Sequence, residues 1–93
     1  MKYQPNPIDT SDIILPEGII EIVELLAENT HDVWASGKLR EGYSIDSKDG
    51  KKTHPSLVPY DELPETQKEY DRNTLLETMR LLIKLGYDIR KRS

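Results

Sequence analysis

The chain has 93 residues, 35% apolar and 32% charged, with one tryptophan, five tyrosines, no phenylalanine and a net charge of −4. A chain of this length buries roughly 60 to 65% of the surface its unfolded form exposes, so residues 1–93 are read as one domain around one small core. Zero cysteines exclude disulfides, thiolate nucleophiles and cysteine-ligated zinc or iron–sulfur sites, and the acidic balance argues against a nucleic-acid binder, which carries a basic footprint.

Residues 1–15 open as an extended arm, because Pro5 and Pro7 fix φ and forbid helix. No signal-peptide core is visible in Met1-Lys2-Tyr3-Gln4-Pro5, and no apolar run reaches bilayer length. A cytoplasmic chain without membrane insertion is expected. Asp9-Thr10-Ser11-Asp12 offers side-chain oxygens for turns, and Ile13-Ile14-Leu15 is expected to bring three apolar residues to the core.

Pro16, followed by Glu17, Glu21 and Glu24, is a helix start. This first helix is predicted to run to about Glu41, with Gly37 as a soft point and Gly42 as a left-handed cap. Ile19, Ile22, Val23, Leu26, Thr30, Val33 and Gly37 recur in steps of three and four and form one apolar stripe. Tyr43 to Asp46 and the residues after Lys51 flank Asp49-Gly50, a dipeptide suited to a tight turn, which predicts a short β-hairpin. His54 to Tyr60 is too rich in proline for helix and reads as a packed extended segment with Leu57, Val58 and Tyr60 inward. After a single turn at Asp61 to Pro64, good helix formers dominate from Glu65 to Leu85. Leu75, Leu76, Met79, Leu82, Ile83 and Gly86 make a second stripe to face the first, with Leu26 and Leu82 central. Tyr87-Asp88-Ile89 is read as a short strand beside the hairpin, and residues 90–93 as a frayed basic tail. The fold class is therefore mostly α with minor β: two main packed helices, short helical turns, a short hairpin and extended arms.

Catalytic and metal signatures are missing. Setting Gly50 at the sixth position of a calcium loop puts Ile45 first and Ser56 twelfth, which fails as an EF-hand. There is no glycine-rich phosphate loop or Gly-x-Ser-x-Gly, and two histidines give neither an imidazole cluster nor a triad. His31 and Asp32 are adjacent on a helix, where neighbours point apart, so they read as a surface pair and not as a base with its orienting acid. No enzyme, cofactor or metal is expected.

His31, Trp34 and Lys38 lie along one side of the first helix beside its apolar stripe. They read either as a binding edge, in which an indole stacks on a planar base while imidazole and ammonium meet anionic oxygens, or as a core anchor beside a satisfied histidine. Lys48, Lys51, Lys52 and His54 form a second basic cluster, read as a solvated loop or an anion site.

Asp9-Thr10-Ser11, Leu26-Ala27-Glu28-Asn29-x-His31-x-x-Trp34-Ala35, Lys52-Thr53-His54-Pro55-x-Leu57-Val58-Pro59-Tyr60-x-x-Leu63-Pro64, Glu69-Tyr70-Asp71-Arg72 and Leu85-Gly86-Tyr87, in that order and spacing, resemble the RyR domain. This is the repeat of ryanodine-receptor calcium channels, found also in small bacterial and phage proteins. The chain departs from the family pattern at Gly42 to Asp49, where it is shorter. The resemblance implies a mostly helical, non-enzymatic binding module, linked in the family to adenine-nucleotide binding and nucleotide-signal sensing. His31 and Trp34 match the receptor nucleotide pocket, and with Lys38, Tyr43 and His54 they form the expected ligand site. Because the receptor pocket uses two repeats, a homodimer imitating that pair is one expected partner. Others are an adenine or other nucleotide and an unidentified protein, the last corresponding to an interaction module with no small ligand.

Overall fold

The computed structural model describes residues 2–46, 48 and 50–92. Helix α1 spans Glu17–Glu21, α2 spans Val23–Arg40, a 3₁₀ turn occupies Tyr60–Glu62 and α3 spans Glu65–Lys84. Each of α1, the 3₁₀ turn and α3 starts directly after a proline, Pro16, Pro59 and Pro64, held at φ −56° and ψ between 142° and 148°. These prolines supply the first carbonyl of each element: Ile19, Glu62 and Gln67 donate their N–H groups to Pro16, Pro59 and Pro64. The ring presets φ at no cost to the helix ladder, since its missing N–H would have no intrahelical acceptor there.

The single helix expected from Pro16 to Glu41 is broken at Ile22. That residue sits at φ −111°, ψ 12° and bonds back three residues to the Ile19 carbonyl at 3.2 Å, which interrupts the four-residue ladder. Gly37 is no soft point, since α2 runs through it to Arg40. Both long helices end as the glycines predict. Gly42 (φ 99°) and Gly86 (φ 101°) turn left-handed. In each case the glycine N–H bonds the carbonyl of Leu39 or Ile83, and the following tyrosine N–H, Tyr43 or Tyr87, bonds that of Lys38 or Leu82. This is the paired-bond C-terminal motif that only a residue free of Cβ strain enters readily.

Helices α2 and α3 pack together, but the core is centred differently from the two facing stripes. Ala27 is fully buried and clusters with Tyr60 and Leu63, with Val58 and Leu75 packed against them; Leu15 and Leu57 are also buried. The segment from Leu57 to Leu63 is thus a wall of the core and no mere wrapping. Val33 (62% exposed) and Leu82 (39%) face outward, and Ile14 of the Ile-Ile-Leu run is 91% exposed. The periodicity located a stripe, while the small side chain of Ala27 decided which edge of it admits the partner segment most closely.

No β-strand occurs among the described residues, so the expected hairpin and the strand at Tyr87 to Ile89 are not formed. The Ser44 N–H donates to the Lys52 carbonyl at 2.7 Å across the two flanks. Between them, local side chains take the backbone groups that a ladder requires: Ser44 Oγ accepts the Asp46 N–H and Asp46 Oδ1 accepts that of Lys48. Asp49 of the expected turn lies outside the described residues. The N-terminal arm is strapped to α3 by Thr10 Oγ1, which donates to Glu77 Oε2 at 2.6 Å, and by Lys84 Nζ, which donates to the Asp9 carbonyl at 2.6 Å.

Arg72 on α3 ties the helices across the surface. Its Nε and Nη2 donate to Glu24 on α2, and Nη1 donates to Glu65 and Glu69, each at 2.7 Å. Tyr60 Oη donates to the same Glu24 at 3.2 Å. The Arg72 guanidinium holds the Glu24 carboxyl below its ordinary range, and the Thr10 hydroxyl does the same to Glu77. A carboxyl with a lowered folded-state pKa contributes stability above its unfolded value, lost as pH falls through the folded one. The melting temperature is expected to fall between about pH 5 and pH 3, with a shallower fall in Arg72→Met; a titration followed by circular dichroism checks this. Leu63→Ala should cost about 2 to 5 kcal/mol and Leu82→Ala well under half of that, because only the first empties a buried site. Denaturant melts compare the two.

Candidate functional site

The site grows from α2. His31 is 4% exposed, and its Nε2 donates to the Val58 carbonyl at 2.7 Å, which fixes the proton-bearing nitrogen and the ring plane. One turn on, Trp34 stacks against that ring with centroids 5.6 Å apart and planes 25° apart. His54 meets the indole edge-on at 5.0 Å, held by the Ser56 N–H, which donates to its Nδ1 at 3.0 Å. Tyr43 follows at 6.2 Å from His54. It is delivered there by the left-handed turn at Gly42, which folds the chain back over the end of α2. Lys38 Nζ lies 5.2 Å from the Tyr43 centroid and 6.0 Å from that of Trp34, within cation–π range.

All five residues picked from the sequence, His31, Trp34, Lys38, Tyr43 and His54, therefore meet in one patch. Lys52 of the second basic cluster joins it, 5.9 Å from the Tyr43 ring, while Lys48 is exposed. Lys38 also reaches the Glu41 carboxylate at 3.5 Å, which dilutes its charge. His31 is both core and wall: its ring packs near Tyr60 as well, at 6.4 Å.

Trp34 also borders a cleft of about 180 Å³ bounded by His31, Trp34, Ser56, Leu63, Gln67, Tyr70 and Asp71. Sequence reasoning missed Ser56, Gln67 and Asp71 as site residues. The signal was the spacing of Gln67, Tyr70 and Asp71, which places three polar or aromatic side chains on one face of α3. Burial pushes the Asp71 carboxyl above its ordinary range, partly offset by His31. Trp34 thus borders both a small cleft with an acidic wall and a patch with lysines.

Larger depressions exist elsewhere. One of about 450 Å³ lies between the arm at Pro7 to Thr10 and α3, and one of about 320 Å³ between α1 and residues 89–91. In the first, Glu77 is already engaged by Thr10 and Arg80, and the second has no aromatic face. Of these three, the smaller cleft combines stacking surfaces with convergent polar groups, which is what a ligand site needs. Among the described residues no group of three or more His, Asp or Glu is placed to hold a metal ion, and no helix is long and apolar enough to cross a membrane.

A short helical module bearing one tryptophan-centred aromatic patch is the class that the fold defines. The RyR domain family model matches residues 3–91, and the chain belongs to that family.

Two outcomes test the geometry. His31→Ala should destabilise the fold by about 1 to 3 kcal/mol, because it leaves the Val58 carbonyl without its donor. Gly42→Val should cost on the order of 1 kcal/mol or more by forcing a β-branched residue to positive φ. It should also displace Tyr43 from Lys38 and His54, visible as a change in the tyrosine ring resonances.

Proposed function

We propose that this RyR domain is a non-enzymatic binding module that takes a nucleotide-type ligand at Trp34. The supporting observation is the half-buried indole itself, wedged between two imidazoles with ammonium groups beyond them and a ring-sized cleft beside it. An indole face stacks on any base, for about 1 to 3 kcal/mol. Lys38 and Lys52, which lie outside the cleft lining, supply cations for the phosphate. The cleft is too small for a whole nucleotide, so the base enters it and the charged end remains at the lysine patch.

Titration of the purified protein with adenine nucleotides and cyclic dinucleotides, by calorimetry and by the fluorescence of its single tryptophan, tests the reading. Saturable heat with a matching change in Trp34 emission is expected, and Trp34→Ala should weaken every binding ligand by roughly tenfold or more. Silence across the panel overturns it. The pairing of receptor repeats suggests that two copies sandwich one base between two Trp34 rings, in which case ligand tightens the dimer. Sedimentation velocity with and without nucleotide decides this: a monomer throughout leaves a single-sided site.

A second reading, a protein-interaction module without a small ligand, has its own support. Ile22, Leu25 and Val33 are exposed on or beside α2 at 43%, 63% and 62%. Apolar side chains grouped in this way are the usual mark of a protein contact.

A further inference from the structure

We propose that Asp71, with Gln67, selects ligands whose ring carries an exocyclic amino group, so that the cleft reads the amino-bearing edge of a nucleobase. This rests on Trp34 being the platform on which such a ring stacks.

The inference comes from an accounting of the polar groups that line the cleft. Most are occupied: His31 Nε2 is bonded to the Val58 carbonyl, the Ser56 N–H to His54 Nδ1, and Ser56 Oγ–H to Gln67 Oε1 at 2.8 Å. The last bond fixes the Gln67 amide and leaves its nitrogen as a donor. The Asp71 carboxylate is half-buried and accepts no hydrogen bond and joins no ion pair among the described residues. Its electrostatic neighbours are His31 and the Tyr60 hydroxyl. Gln67 and Asp71 are four residues apart on α3 and therefore neighbours on one face. The cleft thus offers a stacking face, the Gln67 amide nitrogen as a donor and the Asp71 carboxylate as an acceptor.

A carboxylate accepts only. The ligand edge that satisfies this pair presents an N–H to Asp71 and a lone pair to Gln67. Adenine does so with its 6-amino group beside N1, and guanine with its 2-amino group and N1–H beside O6. Unsubstituted purine lacks the amino group and leaves the carboxylate without a donor, while hypoxanthine keeps N1–H beside O6 and offers the carboxylate one N–H where guanine offers two. A phosphate in the cleft is disfavoured by the same charge, which orients the ligand base-inward with its anion toward Lys38 and Lys52. Desolvation of Asp71, already reflected in its raised pKa, makes the incoming N–H count for more than it would at an open surface.

Two ligand pairs that differ only in an amino group make the test: adenosine monophosphate against purine riboside monophosphate, and guanosine monophosphate against inosine monophosphate. Trp34 fluorescence is titrated with each on the wild-type protein, on Asp71→Ala and on the isosteric Asp71→Asn. In at least one pair the amino-bearing member should bind wild type about tenfold tighter or more, and Asp71→Ala should reduce that ratio to within about twofold, as loss of a charge-assisted hydrogen bond requires. Where Asp71→Ala does not melt cooperatively, Asp71→Asn takes its place and should cut the ratio by about threefold or more. Equal affinities within both pairs on wild type overturn the selection by Asp71 while leaving nucleotide binding intact, as does a ratio unchanged by the substitution. Absence of any signal from all four ligands overturns the nucleotide reading itself, and this inference with it.

Discussion

Everything in this domain depends on the complete burial of Ala27. A methyl group at that point of α2 lets the Leu57–Leu63 segment approach closely enough for Tyr60 and Leu63 to close the core, and a larger side chain would hold it away. Three polar ties then become possible around the same contact: His31 to the Val58 carbonyl, Tyr60 Oη to Glu24, and Arg72 to Glu24. The first is shielded from water. The last is largely solvated, since the Glu24 side chain is 59% exposed, so it sets the helix register more than it adds stability.

Because the core is this small, the aromatic patch and the core are not separate. His31 gives one nitrogen to the backbone and its ring to Trp34. The indole is therefore levelled by the same contact that holds Val58 against the core. His54 is fixed in turn by a backbone N–H, and Tyr43 by the cap at Gly42. None of the aromatic walls rests on a long mobile side chain, and such preorganisation lowers the ordering cost of binding.

Much of this was legible in the sequence. Proline and glycine marked the helix ends because their backbone constraints are local, and periodicity found α2 and α3 because each is long. The site residues on α2 were visible as a spacing. What was hidden depends on tertiary choice. The break at Ile22 has no proline or glycine to announce it, and the hairpin at Tyr43 to Lys52 lost its ladder to Ser44 and Asp46, whose short polar side chains bond locally. The outward turn of Val33 and Leu82 follows from the position of Ala27, which no stripe pattern encodes. Asp71 and Gln67 escaped notice because the sequence does not show that Ser56 consumes one end of the amide.

The bond from His31 to Val58 spans 27 positions of chain, so the wall it holds exists only in the folded molecule. Whatever occupies that cleft must then act on the folding equilibrium as a whole, with no affinity for the opened chain to offset it. An occupant at a hundred times its dissociation constant adds about 2.7 kcal/mol to the native state. In domains of 60 to 100 residues each kilocalorie moves the melting point by roughly 4 to 8 °C. Small size, which leaves this domain only one modest core, also makes its thermal transition a sensitive gauge of site occupancy.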